Sequence, residues 1–165
     1  MRKKVEVLVI AICFTVLACA AVMAGPEGFS GNWALDKAKS DFSIGQGGET
    51  PDITMKVEAS KDSFKVSQTF SSSRGEMTME QTYIPDDQEH EVAGIMGSKG
   101  KATAKWDGEK LVVKATYSAE RDGQEMKWTD SSTWELSSDG SLLTIQSTFE
   151  SQMGSRTGKR VFAKK

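Results

Sequence analysis

The 165-residue chain has few cysteines, few prolines and no excess of positive charge, and these shortages exclude several classes of function. Its two cysteines, Cys13 and Cys19, both lie within the first two dozen residues. The rest of the chain therefore has no thiol for nucleophilic catalysis, a disulfide, an iron–sulfur cluster or Cys-ligated zinc. Acidic residues number 23 against 21 basic ones, and no basic stripe is present. Because nucleic-acid binding needs clustered Lys and Arg to neutralise phosphates, the composition argues against a nucleic-acid partner.

Long hydrophobic runs are also scarce, with one exception at the N-terminus. Basic residues 2–4 precede an apolar run over residues 7–24, and small residues stand before Gly25-Pro26. This pattern is typical of a signal peptide. It predicts a leader over residues 1–24 and an exported domain over residues 25–165, released into the periplasm or outside the cell.

Two other interpretations of the leader stay open. An apolar run of this length approaches that of a membrane-spanning helix, so an uncleaved anchor is one of them. The other is acylation of Cys19, because the sequence from Val16 to Cys19 roughly resembles a bacterial lipobox. Contact with a membrane is expected only in these two cases.

After Gly25 the apolar residues alternate with polar ones, as in half-buried strands. Ile53, Met55 and Val57 show the pattern well. Asp-Gly pairs, such as Asp107-Gly108, separate several of the alternating runs and favour tight hairpin turns. About ten strands are predicted, near residues 30–36, 52–59, 63–71, 76–84, 89–96, 101–107, 110–118, 124–136, 141–149 and 158–164.

Short turns between sequential strands predict an antiparallel up-and-down meander, and closure into a barrel would remove its two exposed edges. The predicted fold class is therefore all-β, a single ten-stranded meander closed into a β-barrel and preceded by an N-terminal signal helix. The one long connection, residues 37–51, is expected to hold a helical turn near Asp36–Lys39 and then a flexible Gly-rich stretch over residues 45–48.

Three short motifs resemble the calycin barrels, which include lipocalins and intracellular fatty-acid-binding proteins. Residues 29–33 are similar to their Phe-x-Gly-x-Trp opening, residues 106–108 to a Trp-Asp-Gly hairpin, and residues 160–164 to a last strand of the form Arg-x-Tyr-x-Lys. The motifs occur in the order found in these families. The leader, and the lack of a helix pair after the first strand, depart from fatty-acid-binding proteins and favour a bacterial lipocalin-like secreted protein.

The resemblance implies roles for three residues. Gly31 and Trp33 would form a structural plug at one barrel end, with Arg160 packing across the Trp33 ring as a cation. Alternatively, Arg160 would point inward and meet a ligand carboxylate, as its counterpart does in fatty-acid-binding proteins. Phe162 stands where those proteins carry a tyrosine, which argues against this second role. Both roles stay open.

Polar residues that share the parity of the large apolar residues should also face the barrel interior. Leaving such a group unpaired costs roughly 1–3 kcal/mol, whereas a cavity that holds water and an amphiphilic ligand offers partners. A water-filled barrel, or a bulge that turns Asp130 outward, would explain the pattern equally well. The predicted ligand-binding residues are Phe64, Gln68, Phe70, Gln81, Trp106, Tyr117, Trp128, Asp130 and Arg160.

These observations predict an exported, monomeric, non-catalytic barrel that binds a small, mostly apolar molecule such as a lipid or fatty acid. No cofactor and no metal site is expected, since the acidic segment 86–91 around His90 is typical of a solvated turn. One alternative is a cell-envelope structural or protein-interaction barrel with a packed interior. A hydrolase acting on lipid or sugar, with Asp130 as its acid, is the other.

Overall fold

The computed structural model describes residues 25–41, 50–73, 75–94, 98–121 and 123–165, and all ten predicted strands are present. The predicted leader with both cysteines and the Gly-rich stretch 45–48 lie outside the described residues. The strands are β1 Gly31–Leu35, β2 Asp52–Ala59, β3 Phe64–Ser72, β4 Gly75–Tyr83, β5 Glu89–Ala93, β6 Lys99–Asp107, β7 Lys110–Arg121, β8 Gln124–Leu136, β9 Leu142–Ser151 and β10 Gly154–Lys164.

The strands form one antiparallel sheet in the order β4-β3-β2-β1-β10-β9-β8-β7-β6-β5. The first and last strands are neighbours, with Trp33 opposite Lys164 and Leu35 opposite Phe162. The two edges of this sheet are β4 and β5, and the barrel is nearly closed between them. The predicted all-β meander is confirmed.

Alternation along each strand separates an inner face from an outer face. In β2, Ile53, Met55 and Val57 are buried, whereas Thr54 and Lys56 are exposed. The same parity holds around the sheet, so inward-facing positions can be assigned strand by strand from the register.

One end of the barrel is closed by the segment that precedes β1. A short 3-10 turn, Pro26–Phe29, brings the fully buried Phe29 against the strands. The indole N–H of Trp33 donates a hydrogen bond to the Phe29 carbonyl over 2.9 Å. This bond holds the turn in place, since Trp33 is itself only 1% exposed.

The connection after β1 contains the predicted helical turn, a 3-10 helix over Lys37–Lys39. The Asp36 carboxylate caps this turn by accepting hydrogen bonds from the backbone N–H groups of Ala38 and Lys39. Asp36 also donates its own N–H to the Val161 carbonyl, which fastens the turn to the outside of β10. No helix in the described ranges is both long enough and apolar enough to cross a bilayer.

The Asp139-Gly140 turn between β8 and β9 provides a local test of the hairpin chemistry. Hydrogen bonds from the Ser137 hydroxyl (2.6 Å) and from the Ser141 N–H and hydroxyl hold the pKa of Asp139 at about 2, below the usual 3.8. A lowered pKa means that the stabilisation is complete above pH 3.8 and is lost as the pH falls through 2.

We expect the Asp139 carboxyl carbon to titrate near pH 2 in an NMR experiment. Ser137→Ala should move that pKa upward toward the usual value, because the hydrogen bond from the Ser137 hydroxyl is removed. Ser138→Ala, in the same turn but exposed, serves as the control. Titration of wild-type Asp139 at its usual pKa would contradict the turn geometry.

Candidate ligand-binding site

The end of the barrel opposite Phe29 has an apolar rim. Met77 on β4, Met126 on β8 and Phe149 on β9 share the inward parity of their strands, yet they are 44%, 42% and 37% exposed. Each lies close to the strand end that is remote from the plug. We call these three residues the mouth.

The floor of the interior is an aromatic cluster at the closed end. Phe64 is fully buried, and its ring lies 5.7 Å from that of Phe29, 6.0 Å from that of Trp106 and 5.3 Å from that of Trp134. Trp106 also donates its indole N–H to the Lys61 carbonyl. Two predicted wall residues, Phe64 and Trp106, therefore belong to the floor, where they pack on the plug.

A hydrogen-bonded polar group lies between the floor and the mouth. Gln81 is at its centre and receives a hydrogen bond from the Tyr83 hydroxyl through its side-chain oxygen (2.7 Å). Its side-chain nitrogen donates to the Tyr117 hydroxyl (2.9 Å) and to the Ala93 carbonyl (3.3 Å). Because Ala93 belongs to β5, Gln81 also bridges the gap between the two edge strands.

Burial controls the protonation of both tyrosines. Desolvation raises the pKa of Tyr83 well above its usual value, and the nearby Tyr117 and Asp130 act in the same direction. Burial likewise raises the pKa of Tyr117, although the hydrogen bond from Gln81 opposes this. Both hydroxyls therefore remain neutral hydrogen-bonding groups at physiological pH.

The position of Tyr117 is fixed by a ring on β8, by a glycine on β6 and by another glycine just after β5. Its ring stacks on Trp128 with a centroid separation of 5.7 Å and an interplanar angle of 22°. A Cβ atom on Gly94 would come within 2.8 Å of the Tyr117 ring. On Gly100 a Cβ would come closer still, so the ring fills space that only glycine leaves empty.

Asp130 and Arg160 bring opposite charges into the interior. Both have the inward parity, and β8 pairs with β7 and β9 through Asp130 without a bulge. Burial raises the pKa of the Asp130 carboxyl, and the positive charge of Arg160 opposes that shift. Burial lowers the pKa of Arg160, whereas the charges of Asp130 and Tyr83 raise it. The alternative in which a bulge turns Asp130 outward is therefore wrong.

The expected cation over Trp33 requires a correction. Lys164 covers this ring, with Nζ 5.1 Å from the centroid, and it also donates to the Gly28 carbonyl over 3.4 Å. A Cβ on Gly31, whose φ is +141°, would lie 3.0 Å from the Lys164 Cε. Gly31 thus leaves room for Lys164 to cross the plug. Lys164 reaches the ring because β1–β10 pairing places it opposite Trp33, whereas Arg160 lies farther up β10.

The remaining predicted residues lie on the inner face at different levels. Gln68 donates to the Met55 sulfur over 3.2 Å, and Phe70 is partly buried one inward position nearer the mouth. The hydroxyl of Ser132, the next inward-facing residue after Asp130, accepts a hydrogen bond from the indole N–H of Trp134. Tyr83 is not among the predicted ligand-binding residues, although the inward parity that it shares with Gln81 was a signal of its polar role.

His90 forms a local contact and not a larger cluster. Its Nε2 lies 2.9 Å and 3.0 Å from the two carboxylate oxygens of Asp86. Across the described ranges, no group of three or more His, Cys, Asp or Glu side chains is arranged to hold a metal ion.

A concavity crosses the outer face of β7 to β10. It measures about 640 Å³, and the outward-facing side chains that line it include Lys114, Thr133, Gln146 and Thr157. Val112 and Val113 also line it, so this outer groove combines polar groups with apolar surface.

The chain matches no protein-family model and no curated protein. Solved structures with a similar fold include a zebrafish ileal bile acid-binding protein complexed with cholic acid, at a TM-score of 0.58 and 18% identity over 84% of this chain and 99% of that one. A tyrosine-to-phenylalanine variant of a fatty acid transporter has a TM-score of 0.54 and 16% identity, over 82% and 97% of the two chains.

A third similar structure is secretory abundant heat soluble protein 4 from Ramazzottius varieornatus, at a TM-score of 0.50 and 19% identity over 86% and 97% of the chains. At such identities the likeness concerns the fold. The predicted resemblance to calycin-type barrels is confirmed at that level.

Proposed function

We propose that this protein binds a small, mostly apolar molecule non-covalently inside its barrel, through the mouth. The observation that carries the proposal is the exposure of Met77, Met126 and Phe149, which face inward but remain 37–44% exposed. Exposed apolar surface at the rim of a concave site favours an apolar occupant, because its burial releases about 25 cal/mol per Å².

The polar residues below the mouth would orient the polar end of such a molecule. Gln81 and Tyr117 are hydrogen-bonded to each other, and Asp130 has the inward parity on β8, one inward position from the Trp128 ring that stacks on Tyr117. Two proteins with this fold are a bile acid-binding protein and a fatty acid transporter, which is compatible with a ligand that combines apolar and polar parts.

In this proposal the barrel is exported and acts as a monomer. Residues 1–24 direct it to the periplasm or the outside and are then removed. Contact with a membrane follows only if this leader is retained or if Cys19 is acylated. The proposal is of binding without catalysis, since paired-carboxylate hydrolysis needs two facing acids and Asp130 alone has the inward parity among acids on the described strands.

The test uses N-phenyl-1-naphthylamine, an uncharged dye that fluoresces in apolar surroundings. We expect saturable binding to the wild-type protein, weakened about 10-fold by Trp128→Ala, because losing roughly 50 Å² of apolar wall costs about 1.3 kcal/mol. Lys127→Ala is the matched control, since Lys127 is adjacent, outward-facing and exposed.

Two outcomes would contradict the proposal. Absence of saturable dye binding would favour the packed structural or interaction barrel. Equal binding by the wild type and a correctly folded Trp128→Ala variant would place the dye elsewhere, with the outer groove as the first alternative.

A further inference from the structure

We propose that the site takes a flat, uncharged aromatic ring system between Trp128 and Phe149, in preference to a saturated chain or a puckered ring. This inference rests on the proposed function and specifies its ligand class. Its basis is the placement of two inward-facing rings near the mouth, with a small residue, Ser151, beside them.

Trp128 has a large aromatic neighbour on one side and a small neighbour on the other. Across β7 and β8 it lies opposite Tyr117, whose ring stacks on it. Across β8 and β9 it lies opposite Ser151, which is half-buried at the turn into β10. Among the described residues, Tyr117 is the one aromatic ring that contacts Trp128. No protein ring therefore stacks on the indole from the side of β9.

Phe149 supplies the second ring. It is paired with Asp130, two residues before Ser151 on β9, and is therefore a diagonal neighbour of Trp128 on the inner face. Its side chain is 37% exposed, and within the described part of the chain its ring contacts no other aromatic ring. A flat ligand that covered this ring would gain both apolar burial and an aromatic contact.

The expected spacing of the two rings suits one intervening ring. Diagonal neighbours across an antiparallel strand pair are about 7 Å apart at their Cβ atoms. Carbon atoms in van der Waals contact are about 3.5 Å apart, so this spacing accepts one flat ring with a contact on each face. A puckered saturated ring is thicker and fits the same spacing less well. The short side chain of Ser151 leaves the side of this slot unfilled.

The rest of the rim also favours an aromatic ligand. Met77 and Met126 present thioethers, which contact aromatic rings more favourably than they contact saturated carbon. Tyr117, which stacks on Trp128, is itself held in place because a Cβ on Gly100 would overlap its ring. The indole is thus positioned before a ligand arrives, which reduces the cost of ordering it on binding.

The experiment is isothermal titration calorimetry of the wild-type protein with 2-naphthalenemethanol and with decahydro-2-naphthalenemethanol. The two compounds share one carbon skeleton and one hydroxyl head, and neither is charged. Apolar transfer alone favours the saturated compound, because it is the more hydrophobic of the two. We expect the aromatic compound to bind at least about 10-fold more tightly, since an aromatic contact on each face adds to the burial of area.

Trp128→Leu and Phe149→Leu each keep an apolar side chain and remove one ring. Each should lower the preference to about 3-fold, by weakening the aromatic compound and leaving the saturated one unchanged within about 2-fold. Lys127→Leu is the control, because Lys127 is adjacent to Trp128, faces outward and is exposed. Circular dichroism verifies that each variant is folded. The wild-type comparison needs no variant, so loss of folding in one of them does not remove the test.

Wild-type protein that binds the saturated compound as tightly as the aromatic one, or more tightly, would overturn the inference and leave the proposed function intact. An unchanged preference in both ring-to-leucine variants would also overturn it, as would an equal loss of both compounds. If neither compound binds and N-phenyl-1-naphthylamine does not bind, the proposed function fails, and the inference fails with it.

Discussion

Trp33→Ala is expected to lower the free energy of unfolding by about 3–5 kcal/mol, the usual cost of truncating a large buried aromatic side chain. Trp33 is 1% exposed, and its indole N–H satisfies the Phe29 carbonyl. The substitution would leave a cavity and free that carbonyl. It would also remove the ring beneath Lys164, so three contacts that close the barrel end are lost together.

The measurement is urea unfolding followed by far-UV circular dichroism, which does not depend on the tryptophan that is removed. Asn32→Ala, at the adjacent exposed position of β1, should change stability by less than about 0.5 kcal/mol. Trp33→Phe should fall between the two, because it keeps most of the packing and loses the hydrogen bond. A cost below about 1 kcal/mol for Trp33→Ala would mean that Trp33 does not act as a plug.

Gly100→Val is expected to destabilise the protein by about 1–3 kcal/mol, the range typical of overpacked interiors. Strand propensity alone predicts that Gly100→Val stabilises the protein, since valine is favoured over glycine in a strand. The reason is Tyr117: a Cβ on Gly100 overlaps its ring, and the Thr116 carbonyl lies 3.2 Å away. Displacing that ring also disturbs the hydroxyl that accepts from Gln81.

Urea unfolding of Gly100→Val is compared with that of Lys99→Val, because Lys99 is an exposed, outward-facing position on the same strand. The comparison separates the effect of packing on stability from the effect of strand propensity. Tyr117→Ser should recover part of the loss in the double variant, because it vacates the space that the valine needs. Destabilisation of the same size in the presence and absence of the Tyr117 ring would contradict this explanation.

The two predictions concern different parts of the barrel interior. The aromatic floor is densely packed around the fully buried Phe29 and Phe64, whereas the level of Tyr117 and Gln81 combines rings with hydrogen-bonding groups and lies next to the exposed mouth. A rigid floor would hold the residues above it in fixed positions, as a ligand site requires.

The strands and their faces were predictable because each depends on neighbours along the chain. Period-two alternation and the Asp-Gly turns located all ten strands, and Gly140 adopts the positive φ of 67° that such a turn demands. Parity alone also placed Gln81 and Asp130 on the inner face, where the structure finds them.

The grouping of inward residues was only partly predictable. Phe64 and Trp106 have the inward parity expected of a pocket wall, but both pack into the floor against Phe29. Lys164, and not Arg160, covers Trp33. Parity indicates on which side of a strand a residue lies. It does not indicate how far along the barrel axis the residue lies, or which side chains from other strands contact it.

The amino-acid sequence by itself determined an all-β meander, the residues that face inward and the absence of cysteine chemistry beyond the first two dozen residues. Only the tertiary structure decided that Tyr117 fills the space above Gly100 and that Gln81 bridges the edge strands. These contacts join residues 12 to 36 positions apart in the chain. They depend on the strand register and on the closure of the barrel. Both result from the pairing of all ten strands together, and no local sequence pattern encodes them.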